Sequence, residues 1–194
     1  MNQKLITKLL TICALFLAFS SAHTWAQEFT AGNPADGTSA SETYKPGLKV
    51  TYFFRMFDHV DELKSISGGI EGSPIEQLNH VSFEDGQVLT TDRPDGVGAH
   101  IRGLLKFSSA GNYTLKLQSN DGVKLDIGGV HLHSDPEIHA ARWSPDMSYN
   151  VNTAGWYDLK IDYYQRKGTA ALRMKWVTPN GTEEVIPTSA FAHR

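Results

Sequence analysis

Tyr113-Thr114-Leu115-Lys116-Leu117-Gln118-Ser119-Asn120-Asp121-Gly122-Val123-Lys124-Leu125-Asp126-Ile127 is the stretch that decides the fold. Tyr113, Leu115 and Leu117 alternate with Thr114, Lys116 and Gln118; Val123, Leu125 and Ile127 alternate with Lys124 and Asp126. Successive side chains of a strand point to opposite faces, so this period of two predicts two strands, each with one apolar face. Asn120-Asp121-Gly122 between them reads as a tight turn, because these residue types tolerate positive φ.

The same pattern extends in both directions. Upstream, Ile101, Leu105 and Phe107 alternate with Arg102, Leu104 and Lys106 before a Ser-Ser-Ala-Gly-Asn turn, and Leu48, Val50, Tyr52 and Phe54 share one face of an earlier strand. Downstream, Gly128-Gly129 turns the chain into a strand from Val130 to His133, and a loop follows from Ser134 to Asp146. Tyr157, Leu159, Ile161 and Tyr163 mark another strand; Leu172, Met174 and Trp176 mark the last clear one, closed by Pro179-Asn180-Gly181. Asp58 to Ile66 predicts a short helix with Asp58 as its N-cap, and residues 67–98 predict loop with brief strands. Closely spaced strands without helices between them imply an all-β fold: an antiparallel β-sandwich or barrel with long loops and at most one short helix.

Residues 1–26 read as a cleavable signal peptide. Lys4 and Lys8 precede the apolar run from Leu9 to Phe19, and Thr24-Trp25-Ala26 suits a cleavage site that leaves Gln27 as the new N-terminus. The run is too short for a membrane span, so no membrane insertion is expected after cleavage. Cys13 lies inside the run with Ile12 before it, which does not suit a lipoprotein signal. Cleavage removes this single cysteine and with it any disulfide. It also removes two lysines, leaving 16 basic against 21 acidic residues, a net charge of -5. Without a basic run, neither nucleic acid nor an anionic membrane surface is an expected partner. Residues 27–46, rich in small and polar types, predict an exposed, flexible leader, and residues 47–194 form the folded domain.

Several segments resemble, in order, the PA-fourteen domain, the β-barrel module first described in anthrax protective antigen. They are Gly47 to Phe53, Ile101 to Leu105 leading to Gly111-Asn112-Tyr113-Thr114-Leu115, Ser119 to Ile127, Ile161 to Gln165, Ala171 to Trp176, and Val185-Ile186-Pro187. The resemblance implies a twisted β-sandwich whose loops at one end bind sugar in the lectin-like members, often around calcium held by two adjacent aspartates joined by a cis peptide. Asn120-Asp121 stands where that pair would be, which makes Asp121 and Asn120 the candidate calcium ligands. An amide in place of one carboxylate keeps an oxygen but removes a unit of charge. Gln165 stands where the calcium lectins have an asparagine. A plain tight turn remains the alternative for Asn120-Asp121-Gly122.

Other residues point to ligand chemistry directly. Trp143 offers an apolar ring to a pyranose face, with Asp135, Arg142 and Asp146 as partners for hydroxyls; its alternative role is to fold back and cap the barrel. His131 and His133 fall on one face of a strand and, with His139 and Asp135 near in sequence, could ligate a metal, or could simply line a half-exposed strand. No nucleophile, zinc-protease or phosphate-loop motif is present, so no enzyme is expected. The expected protein is secreted or periplasmic, associated with the cell surface in one version. It recognises a glycan or surface polysaccharide through the loops near Asn120-Asp121, Ser134 to Asp146, and Gln165 to Gly168. The alternative is a structural or adhesion module that binds a protein or a surface polymer without calcium.

Overall fold

The computed structural model describes residues 27–32, 34–35, 44–83 and 85–194; the signal-peptide reading of residues 1–26 lies outside them. In chain order the strands among these residues are β1 (Gln27–Thr30), β2 (Lys45–Pro46), β3 (Lys49–Phe54), β4 (Ile70–Glu71), β5 (Asn79–Ser82), β6 (Val97–Phe107), β7 (Gly111–Asn120) and β8 (Val123–Ile127). They continue with β9 (Val130–Asp135), β10 (Arg142–Trp143), β11 (Met147–Val151), β12 (Gly155–Gln165), β13 (Ala170–Val177), β14 (Glu183–Val185) and β15 (Phe191–His193).

Two sheets result. One runs β1-β11-β7-β13-β14, with β10 beside β7 and β5 beside β13. The other runs β2-β15-β6-β12-β8-β9, with β3 against β6 and β4 against β3. All pairings are antiparallel except that of β1 with β11, so the fold is the expected all-β sandwich. The long pair β6–β12 sets Ile101 opposite Ile161, and β7–β13 sets Leu117 opposite Met174. The alternating apolar residues of both sheets meet in one core that includes Leu105, Leu115, Leu125, Ile161 and Met174. Its centre is aromatic: Phe107 lies 4.8 Å from Tyr113, 5.4 Å from Tyr149 and from Tyr157, and 5.9 Å from Trp176, between ring centroids. Truncating such a ring to alanine costs about 3–5 kcal/mol, because neighbouring side chains cannot fill the void.

Three expectations are corrected. The first part of the leader, Gln27 to Thr30, is the edge strand β1, in register with Met147 to Asn150, and Ala31 is buried behind it. Lys45 and Pro46 pair with His193 and Ala192. Backbone pairing on a sheet edge asks little of the side chains, so a polar, small-residue composition did not exclude it. The short helix is a 3-10 segment over Val60–Ser65, and its N-cap is His59 rather than Asp58. His59 Nδ1 accepts the Asp61 N–H, while Glu62 Oε1 accepts the N–H groups of both Asp58 and His59. Finally, residues 120–122 are no positive-φ turn: among the described residues the positive-φ positions include Gly128, Gly129 and Gly181 but not Gly122. Gly122 is required instead by close approach, since a Cβ there would lie 2.4 Å from the Tyr164 ring and 2.6 Å from the Pro136 carbonyl oxygen.

Candidate functional site

The chain changes sheets at Asn120-Asp121. Asn120 still pairs with Ala171 in the first sheet, whereas the Asp121 N–H donates to the Tyr164 carbonyl (3.0 Å) and Gly122 accepts from the Tyr164 N–H (3.0 Å) in the second. The Asn120–Asp121 peptide is cis. Tyr163, buried in the core, donates its hydroxyl to the Asn120 carbonyl at 2.6 Å. Beneath this crossing a small second core of Phe53, Phe57, Val60, Leu63 and Tyr164 fastens the 3-10 segment to the sheet, and the Tyr164 hydroxyl donates to the Asp58 carbonyl at 2.9 Å.

Asp121 ties the neighbouring loops to this crossing. Its carboxylate is buried and accepts the His139 N–H at Oδ1 (3.2 Å) and the Arg166 N–H at Oδ2 (2.7 Å). The loops carrying residues 134–141 and 165–168 therefore meet at the Asn120-Asp121 crossing. Burial pushes the Asp121 pKa above its ordinary value, and the two N–H donors only partly oppose that. Asn120 donates its side-chain amide to Thr169 Oγ1 at 2.9 Å. Gln165 is fully buried; its amide donates to the Gly168 carbonyl at 3.2 Å and faces Asp95 Oδ1 at 3.4 Å, while its Oε1 has no hydrogen-bond partner. Asp95 Oδ1 also accepts the Gly168 N–H at 2.8 Å. Sequence reasoning passed over Asp95, although the turn-forming pair Asp95-Gly96 was its one local signal.

The remaining candidates divide between this end and the outer face of the first sheet. Asp135 and Arg142 form a bidentate pair, Nε to Oδ2 at 2.7 Å and Nη2 to Oδ1 at 2.6 Å, and this holds the Asp135 pKa below the usual carboxylate value. His139 Nε2 lies 3.2 Å from Asp135 Oδ2, in ion-pair contact but without a hydrogen bond. Asp135 and Arg142 thus adjoin the loop that Asp121 holds. Trp143 does not cap the barrel: it pairs with Gln118 on the strand edge, with the Lys175 ammonium 5.1 Å and the Arg173 guanidinium 5.5 Å from its ring centroid. Asp146 pairs with Lys116 at 2.6 Å. Trp143 and Asp146 therefore belong to a cation-rich sheet face beside the loop end, in cation–π and ionic contacts.

Calcium takes six to eight oxygens and favours carboxylates. Asp121 uses both oxygens on backbone N–H groups, and Asn120 turns its amide N–H toward Thr169. Among the described residues no group of three or more His, Cys, Asp or Glu side chains is placed to hold a metal ion. Asn120-Asp121 thus offers one carboxylate and one amide oxygen, a unit of charge less than a pair of carboxylates would. For the histidine pair, a bulge between Leu125 and Asp126 puts His131 opposite Asp126, with Nδ1 2.6 Å from Oδ1, while His133 faces Leu125 and burial lowers its pKa.

The sequence model of the PA14 domain, the PA-fourteen family of the resemblance above, matches residues 44–190. A curated relative, the anti-sigma-I factor RsgI3 of Acetivibrio thermocellus, is 30% identical over 77 residues, which is 40% of this chain and 12% of the relative. The chain thus spans only a small part of that protein. Among solved structures, an anti-sigma factor domain-containing protein superposes with a TM-score of 0.64 at 20% identity, over 77% of this chain and 48% of that one. A PA14 sugar-binding domain from an RTX adhesin gives a TM-score of 0.60 at 17% identity, over 77% of this chain and 99% of that domain.

Proposed function

The chain belongs to the PA14 domain family, and on that premise we propose that it is an exported carbohydrate-recognition module that works without calcium. The observation that carries this reading is the convergence of two loops, those carrying His139 and Arg166, on the Asp121 carboxylate. That convergence sets the Asp135–Arg142 pair beside the sheet crossing, at the end where loops can form a saccharide rim. Arg142 spends two of its five N–H donors on Asp135 and keeps more than half of its side chain exposed, so it retains donors for sugar hydroxyls. The buried Asp121, Asn120 and Gln165 shape the rim from beneath. The likeness to the sugar-binding PA14 domain of an RTX adhesin supports the ligand class. The same relative supports a place at the cell surface and a role in binding rather than catalysis.

A glycan array run with calcium and with chelator tests the reading, using wild type and Arg142→Ala. Binding should survive chelation. Arg142→Ala should weaken it about 10- to 100-fold, as loss of hydrogen bonds from a charged donor does. No retained glycan would overturn the function, and binding lost on chelation would overturn its independence from calcium. One feature favours the protein-binding alternative: on the edge strand β5 and just after it, Val81 and Phe83 are 54% and 81% exposed. If that edge is the working surface, Phe83→Ser should abolish a protein contact and leave the array unchanged.

A further inference from the structure

A row of charged residues crosses the outer face of the second sheet in register: Lys49 on β3, Arg102 on β6, Lys160 on β12, Asp126 on β8 and His131 on β9. Its first three members are cations standing directly opposite one another on adjacent strands. Like charges in that position repel and destabilise a sheet, so an anion laid across them relieves a repulsion built into the fold. No basic run announces this face in the sequence, because each cation lies singly on its own strand and only strand pairing assembles them. Two clefts open along the row and share Arg102 and Lys160. One, of about 220 Å³, is also lined by Lys64, Lys124, Asp126 and Asp162; the other, of about 200 Å³, by Lys49, Asp158 and Arg194. We propose that together they hold a ligand bearing two neighbouring phosphate or sulfate groups, one in each cleft.

The carboxylates of this face do not balance its cations. Arg102 Nη2 donates to Asp162 Oδ1 at 2.5 Å, and Arg194 Nη1 to Asp158 Oδ1 at 3.2 Å. Asp126, directly opposite Lys160, turns instead to His131, with Oδ1 2.6 Å from Nδ1. Asp61 is shared by two ammonium groups, Lys64 at 3.1 Å and Lys124, which draw its pKa down to about 2. Among the described residues Lys49 and Lys160 have no ion-pair partner, and both are exposed. Six cations therefore face four carboxylates, an excess of two positive charges when the histidine is neutral, in a chain whose formal net charge is -3. Such a patch draws anions out of solution. In the larger cleft the cations come from β6, β8, β12 and the 3-10 segment, so donors reach a bound group from several sides. That arrangement suits the three or more oxygens of a phosphate or sulfate better than the two of a carboxylate. Lys160, common to both clefts and without a partner, lies where two such groups would adjoin.

The test is a nuclear magnetic resonance titration of nitrogen-15-labelled exported chain with inorganic phosphate, pyrophosphate and dextran sulfate. The amides of Arg102 and Lys160 report on the clefts, and those of His139 and Arg166 on the loop end. Pyrophosphate should shift the Arg102 and Lys160 signals saturably at about ten-fold lower concentration than phosphate, because its second group binds at high effective concentration. Lys49→Gln alters only the smaller cleft and should erase that advantage while phosphate still binds; Lys160→Gln should weaken both ligands. Both side chains are exposed, so neither variant threatens the fold. Dextran sulfate, run against neutral dextran, distinguishes the sources: a response to it without one to pyrophosphate assigns sulfate esters, and the reverse assigns free phosphate. Signals unmoved by either, or moved no further than by sodium chloride at the same ionic strength, overturn the site. Phosphate and pyrophosphate acting at equal concentrations overturn the pairing of the clefts. If dextran sulfate moves only the His139 and Arg166 amides, the clefts are refuted while the loop-end function stands.

Discussion

Asp121→Ala probes how the loop end is held. The side chain it removes belongs to a residue only 4% exposed and accepts two backbone N–H groups, from His139 at 3.2 Å and Arg166 at 2.7 Å. Each buried donor left without an acceptor costs about 1–3 kcal/mol, and the longer His139 bond belongs near the lower bound. Against this loss stands the unfavourable burial of the carboxylate itself, which is why its pKa is raised above 3.8. The net expectation is about 2–3 kcal/mol, a fall in Tm of about 4–12 °C for a domain of this size.

The raised pKa also fixes the sign of a pH effect. The folded state holds the Asp121 proton more tightly than the unfolded chain does, so this contribution is fully present below 3.8 and is lost as pH rises through the folded value. Wild type should therefore gain on Asp121→Asn, which cannot titrate there, as the pH falls toward 3.8. Circular-dichroism melts of the three proteins, at neutral and acidic pH and with calcium or chelator, supply the assay. If Asp121→Ala melts with wild type, the two N–H bonds do not hold the loops, and the account of the site fails. If calcium raises the wild-type Tm alone, Asp121 ligates the ion; at 100 times its dissociation constant the gain would be about 2.7 kcal/mol.

Three further outcomes are expected. His80 Nε2 accepts the Leu89 N–H at 3.1 Å, and burial lowers its pKa, so its contribution is complete above 6.5 and is lost as the pH falls through the folded value. Melts across that range should show a shallower acid-side loss in His80→Gln than in wild type, and parallel curves would contradict the assignment. Zinc or copper should leave the Tm unchanged, because His131 is engaged with Asp126; a rise abolished by His133→Ala would establish a metal site there. Mass analysis of the exported protein should find Gln27 at or near the N-terminus, and a stable chain retaining Met1 in the membrane would refute cleavage.

The strands were legible because their signal is local. Tyr113, Leu115, Leu117, Val123, Leu125 and Ile127 are all buried as their alternation requires, and Tyr157, Tyr163 and Trp176 join the same core. The loops of the candidate site were legible as neighbourhoods, through Asn120-Asp121, the segment from Ser134, and Gln165. Their individual roles were not. Arg142 and Asp135 meet each other through side chains, and Asp95 reaches Gly168 and Gln165 from a segment far away in the chain. A hydrogen bond between distant residues leaves no periodicity in either partner's sequence.

The sequence by itself determined the class of fold and the apolar face of each long strand, since burying one face of a pleated strand dictates residue type at every second position. Tertiary structure alone decided where polar groups find partners. It made β1 a strand by supplying β11 as an edge, and it drew both oxygens of Asp121 onto loop N–H groups. It also set Trp143 beneath Arg173 and Lys175 instead of over the barrel mouth. Hydrophobic burial follows the chain's own period, whereas directional bonds and charge pairs are satisfied by whatever the packed sheets bring within about 3 Å.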